Sequence, residues 1–192
     1  MGLANKNVLL IDNEDSFTYN LIQLIEQNNY NVDIISGKDK YKPECNSYKY
    51  ILFSPGPGIP NDFPLMKTIL NNYHPQQKIL GICLGHQAIA QHFGARLFKL
   101  TEVTHGIKSQ VKKTIPLSNS CLCSLPLEFE VGRYHSWAVD LISLPEIFEV
   151  SCTAGDIIMG LCHKKHSIEG IQFHPESFLT DLGPSIINNW LK

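Results

Sequence analysis

Lys78-Ile79-Leu80-Gly81-Ile82-Cys83-Leu84-Gly85-His86-Gln87 carries an apolar, strand-like run into a cysteine set between glycines and on into a helix-like stretch. A side chain at such a strand-to-helix turn is presented at the end of a sheet. Its glycine neighbours tolerate the strained backbone, and the helix that follows aims free N–H groups and a positive dipole end at it. These features favour the thiolate, the attacking form of cysteine. The same pattern also suits a small core cysteine beside a tight turn, so its meaning depends on the rest of the chain.

Upstream, the chain alternates strand and helix signals. Residues 8–12 form a short continuous apolar run, as in a strand covered on both faces. Asp15 or Ser16 can cap a helix on which Phe17, Leu21, Leu24, Ile25 and Asn28 recur at helical spacing. Residues 30–36, 50–53 and 78–82 read as further strands, and residues 65–72 as a helix after Pro55, Pro57, Pro60 and Pro64. A βαβ series predicts a mostly parallel sheet with right-handed crossovers and a ligand site outside the carboxyl ends of its strands. Asp12-Asn13, Ser54-Pro55-Gly56-Pro57-Gly58 and Cys83 all fall at those ends. After a helix over residues 84–93, short strands follow at 95–98, 106–113, 129–133, 148–152, 157–163 and 167–173, and a helix at about 182–191 closes the chain. The expected fold is α/β: an open, mostly parallel sheet with flanking helices, extended by antiparallel strands in the C-terminal half, all within one domain over residues 1–192.

With 192 residues, 43% hydrophobic and 18% charged, the chain can bury one core. A net charge of -2 and scattered basic residues give no reason to expect nucleic acid or an anionic membrane as partner. No stretch has the apolar length of a membrane span, and the N-terminus does not resemble a signal peptide; a cytoplasmic protein is expected. The six cysteines (45, 83, 121, 123, 152 and 162) are irregularly spaced, which favours reduced thiols over a disulfide framework. Cys121-x-Cys123 makes a poor zinc pattern, and His74, His92, His163 and His166 have no metal-ligand spacing, so no metal is expected.

A second signal lies about ninety residues beyond Cys83, in Gly170-Ile171-Gln172-Phe173-His174-Pro175-Glu176-Ser177. If an alternating strand ends there, His174 and Glu176 project to the same side, and Pro175 biases His174 toward extended geometry. A histidine held beside a carboxylate is the base and orienter that a cysteine nucleophile needs. Alone, His-Pro-Glu would also read as a surface turn with an exposed ion pair. The third element is the turn at residues 54–58, whose glycines expose backbone N–H groups able to form half of an oxyanion hole, with the N–H of Leu84 as the other half. Its plain reading is a tight connection before a helix. His86 is expected to pack beside the elbow, and His135 is a candidate for orienting a substrate loop.

Taken together, the motifs at 54–58, 81–87 and 170–177 resemble, in order and approximate spacing, those of the class I, triad-type glutamine amidotransferases, whose fold is flavodoxin-like. The resemblance implies a glutaminase in which Cys83 attacks the side-chain amide of L-glutamine, releasing ammonia and forming a γ-glutamyl thioester. His174 would be base and acid, Glu176 its orienter, and Gly56 and Leu84 the oxyanion donors. Gly56, Pro57, Gly58, Gln87 and the backbone of Ser136-Trp137 would hold the substrate. The opening at residues 9–21, together with Thr104-His105-Gly106 and Arg133-Tyr134-His135-Ser136, is similar to the glutaminase subunits of chorismate-using synthases. That implies ammonia delivered to a separate synthase polypeptide, with anthranilate synthase (tryptophan biosynthesis) as the first expectation and aminodeoxychorismate synthase (folate biosynthesis) as the alternative. A stand-alone γ-glutamyl cysteine hydrolase is a further alternative. No cofactor is expected in this subunit, magnesium being expected only in the partner. Departures from the group's usual pattern are Glu14 for tyrosine, Trp137 for leucine and Ile107 for lysine; position 107 and the loop at residues 13–17 read as partner contacts.

Overall fold

A computed structural model describes residues 6–41, 43–101, 106–114 and 118–192. Thr104 and His105 of the motif noted above lie outside the described residues. In chain order the elements are β1 (Asn7–Asp12), α1 (Thr18–Glu26), β2 (Asn31–Ser36), β3 (Tyr50–Phe53), α2 (Pro64–Asn71), β4 (Lys78–Ile82), α3 (Leu84–His92), β5 (Leu97–Lys99), β6 (Ile107–Lys113), β7 (Glu128–Arg133), β8 (Trp137–Val139), β9 (Phe148–Ala154), β10 (Ile157–His163), β11 (Ile168–Ile171) and α4 (Gly183–Trp190).

Among the described residues the main sheet runs β2-β1-β3-β4-β11-β10-β9-β6-β7. The strands from β2 to β11 pair in parallel, and those from β10 outward are antiparallel. The α/β class, with a parallel half and an antiparallel extension, is therefore as the sequence predicts. Burial explains why β1, β3 and β4 read as apolar runs. Val8 and Leu10 of β1 join a core with α1 and α4 on one face, and Leu9 and Ile11 join a core with α2 and α3 on the other. All four are at most 2% exposed, and each such burial stabilises the fold by about 1.5–3 kcal/mol.

Four details depart from the sequence reading. Phe17, rather than Asp15 or Ser16, occupies the N-cap of α1; Asp15 Oδ2 accepts the Phe17 N–H at 2.8 Å in a turn just before the helix. β5 and β8 pair in a separate two-stranded sheet, and the sequence predicts no strand at β8. β11 stops at Ile171, so His174 and Glu176 lie in the turn that follows it. Asn13 is fully buried, so it is no surface contact. No helix among the described residues is long and apolar enough to cross a membrane.

Candidate active site

Gly81 of β4 and Gly170 of β11 lie opposite each other in register. The missing side chains let the first turn of α3 press onto the sheet. A Cβ on Gly81 would run into the backbone of Gly85, and one on Gly170 would stand 2.7 Å from His86 Nδ1. Gly85 makes room in turn for Phe53 of β3, whose carbonyl oxygen would lie 2.6 Å from a Cβ there. Between β4 and α3 the chain must turn within one residue, and that residue is Cys83, held at φ 50° and ψ -97° as the N-cap of α3. Few non-glycine residues adopt a positive φ, and such positions concentrate at functional sites. The Cys83 N–H donates to Ile171 O at 2.8 Å, and the Cys83 carbonyl accepts the Gln87 N–H at 3.1 Å.

His174 and Glu176 come together although their backbone is a turn and not a strand. Oε1 of Glu176 lies 2.5 Å from Nδ1 of His174, both side chains being almost wholly buried. Thr180 Oγ1 donates to the His174 carbonyl at 2.7 Å, and the Tyr134 ring meets the imidazole edge-on with centroids 4.9 Å apart. His174 Nε2 has no hydrogen-bond partner among the described residues. Burial disfavours the imidazolium, but the Glu176 carboxylate and then Cys83 outweigh it and hold His174 well above its ordinary 6.5. A cysteine, an imidazole whose charged form its surroundings favour and a buried carboxylate are the parts of an activated cysteine nucleophile, whose bond to the base often tightens only when substrate binds.

Cys83 opens onto a cavity of about 140 Å³ lined by Gly56, Pro57, Gly58, Leu84, Gln87, Tyr134, His135, Ser136 and Trp137. Every substrate-contact residue expected from the sequence borders this one space. Gly56 has no room for a side chain, since a Cβ would collide with the Asn13 backbone and lie 2.9 Å from Leu84 Cδ2. Asn13 fixes this turn: its N–H donates to Ser54 Oγ at 2.9 Å and its Nδ2 to Ser54 O at 2.8 Å. Across the cavity, Trp137 O accepts from Gln87 Nε2 at 3.0 Å and from His135 Nδ1 at 2.9 Å. Arg133 Nε donates to His135 Nε2 at 3.1 Å, which leaves the hydrogen on Nδ1. Burial, and then the Arg133 charge, push His135 down to about 4, so the ring stays neutral. His86 is buried on α3 against Gly170 and pushed down to about 3.

Behind His174 and Glu176 a second hollow of about 350 Å³ opens to the surface, bordered by Phe17, Leu24, Tyr134 and Phe178. Phe17 is 45% and Phe178 83% exposed. Tyr134 lines both spaces. The sequence reading places Asn13 at the strand ends but misses its role as anchor of the turn, and it misses Tyr134 against the imidazole and Gln172 as parts of the site. The signal for Gln172 is a polar residue in an otherwise apolar strand run.

Comparison with known proteins agrees with this geometry. Residues 9–192 match the family described as Glutamine amidotransferase class-I. The chain is 40% identical to anthranilate synthase component 2 of Lactococcus lactis, over 96% of this chain and 93% of that protein. It is 38% identical to aminodeoxychorismate synthase component 2 of Klebsiella aerogenes, over 96% and 98%. The crystal structure of a candidate GMP synthase subunit from Thermoplasma acidophilum superposes with a TM-score of 0.86 at 25% identity, covering 96% of this chain and 92% of that one. The elbow, the buried histidine–carboxylate pair and the glycine turn thus sit in a chain that, over nearly its whole length, belongs to the class I glutamine amidotransferases.

Proposed function

We propose that this chain is the glutaminase subunit of a chorismate-aminating synthase, with anthranilate synthase as the first choice of partner. The observation that carries the glutaminase reading is Cys83, strained at φ 50° at the mouth of the small cavity, within electrostatic reach of the His174–Glu176 pair. In this reading the proton of the Cys83 thiol has already passed to His174 Nε2, whose charged form Glu176 favours, and the thiolate attacks the γ-carbonyl carbon of L-glutamine. The backbone N–H groups of Leu84 and Gly56 take the oxyanion charge. His174 returns the proton to the leaving amine, ammonia departs, and a γ-glutamyl thioester remains on Cys83. Water activated by His174 then cleaves the thioester, releasing glutamate and the free thiol. Glu176, bonded to Nδ1, keeps the reactive nitrogen of the ring toward Cys83 and steadies the imidazolium.

The hydrogen bonds already made within the site limit how the substrate's α-groups are held. Both N–H groups of Gln87 are engaged, by Trp137 O and Gln172 Oε1, so Oε1 is the atom it can offer. An acceptor suits the α-ammonium of glutamine. The carbonyls of Ser136 and Trp137 are also engaged, by Leu100 N in one case and by Gln87 and His135 in the other. These two residues are therefore expected to act through their N–H groups on the α-carboxylate.

A synthase partner is supported by the names of the relatives, both of which are second components of synthases. Chorismate as the acceptor is part of the proposal, and the name of the aminodeoxychorismate relative supports it. The exposed Phe17 and Phe178 beside His174 supply an apolar face on which a synthase can dock. Ile107, 52% exposed, precedes Lys108, whose Nζ reaches Asp181 at 3.7 Å on the rim of the same hollow. The aminodeoxychorismate reading has a specific support of its own, the 38% identity to a subunit of that name. Mixing the purified chain with each synthase, chorismate, magnesium and glutamine separates the two. Anthranilate is the expected product, and aminodeoxychorismate alone would reverse the assignment.

A further inference from the structure

Gln172 follows β11 directly, is fully buried, and is fixed by its N–H donating to Met159 O at 2.9 Å. Its side chain bridges two groups already assigned to the site. Oε1 accepts from Gln87 Nε2 at 3.1 Å, and Nε2 donates to Cys83 Sγ at 3.4 Å. The direction of this bridge is imposed from outside it. Trp137 O is a backbone carbonyl and can only accept, so Gln87 must present Nε2 to it. The same nitrogen then faces Gln172, which must answer with Oε1 and leave its Nε2 pointing at the sulfur. Amide polarity is thereby transmitted from a backbone carbonyl, through two glutamines, to the nucleophile.

We propose that Gln172 is a further catalytic residue of this site, its Nε2–H aiming Cys83 Sγ and stabilising it as a thiolate. A thiol sulfur accepts hydrogen bonds weakly, whereas a charged thiolate accepts them well, so the bond favours the attacking form. It also restricts rotation about the Cα–Cβ bond of Cys83, holding the sulfur on the side of the Gln87–Gln172 chain. The inference rests on the glutaminase reading for its meaning, but its test does not use glutamine.

The test is alkylation of Cys83 by iodoacetamide as a function of pH, followed by mass spectrometry of the Cys83 peptide, in the unmodified chain, Gln172→Met and Gln172→Glu. Reading only the Cys83 peptide keeps the other five thiols, the half-buried Cys123 included, out of the measurement. Gln172→Met removes the donor and keeps an unbranched chain, so alkylation at pH 7 should slow roughly tenfold and the rate–pH profile should move to higher pH. Gln172→Glu keeps the shape but sets an acceptor against the sulfur, and should slow it further. A structural role would lower thermal stability without moving the profile. An unshifted profile in a folded Gln172→Met chain overturns the proposal, as does Gln172→Glu alkylating faster than Gln172→Met. If instead the unmodified chain alkylates at Cys83 but hydrolyses no glutamine with either synthase, the glutaminase reading fails while the effect of Gln172 on the sulfur stands.

Discussion

Cys83 is held in a backbone conformation that costs a non-glycine residue on the order of 1–3 kcal/mol, and it persists because its N–H is tied to β11 and its carbonyl starts α3. Glycine tolerates that conformation where alanine does not. Cys83→Gly should accordingly be more stable than Cys83→Ala by about 1 kcal/mol or more in urea unfolding. Equal stability of the two would mean that the elbow stores no strain. The same scale decides the charge on His174. Its folded value is raised, so its protonated form contributes stability that is fully present below about pH 6.5 and is lost as pH rises through the folded value. Removing the main cause of that rise with Glu176→Gln should open a stability gap that is widest near pH 6 and closes at higher pH. A gap that widened with pH would contradict the pairing. Cys83, His174 and Glu176 stand out in the sequence as candidates because each proposed chemistry requires its residue type. Gln172 does not, because an amide's role depends on which way it points, and only the chain of acceptors around Trp137 O decides that.

At the scale of elements, the elbow is a packing solution between β4, β11 and the first turn of α3. Gly81→Ala and Gly170→Ala should each destabilise the fold by about 1–3 kcal/mol, since neither the Gly85 backbone nor the buried His86 can yield cheaply. Both should also lower turnover by tilting α3 and the Leu84 N–H. A variant with full stability and full activity would show that the turn has slack. β1, β3 and β4 are legible almost to the residue, because burial on both faces forces an unbroken apolar run. β5 and β8 are harder to read: each is three residues long, pairs only with the other, and carries no clean alternation. β11 reads as longer than it is because Gln172 and Phe173 continue the polar–apolar alternation after leaving the ladder, drawn instead toward Cys83 and the core.

Across the whole molecule, the carboxyl ends of β3, β4 and β11 deliver the glycine turn, Cys83 and the His174–Glu176 pair to one place, as an open parallel sheet should. His86 and His135 stay neutral beneath and beside that site, with folded values near 3 and 4 against an ordinary 6.5. Unfolding below pH 6.5 lets them take up protons they are denied in the fold, so the unfolded state binds more protons and stability falls as pH falls. Between pH 6.5 and 5 each should contribute a loss of about 2 kcal/mol, and urea midpoints that stay level over this range would contradict their burial as neutral rings. The partner's identity is not legible at this scale, since relatives of nearly equal identity over nearly the whole chain bear two different synthase names. The most direct test of the account replaces Cys83 with Ser and assays the complex with its synthase, using chorismate and either glutamine or ammonium. Synthesis from glutamine should be abolished and synthesis from ammonium retained; product formed from glutamine without the thiol would contradict the central role of Cys83.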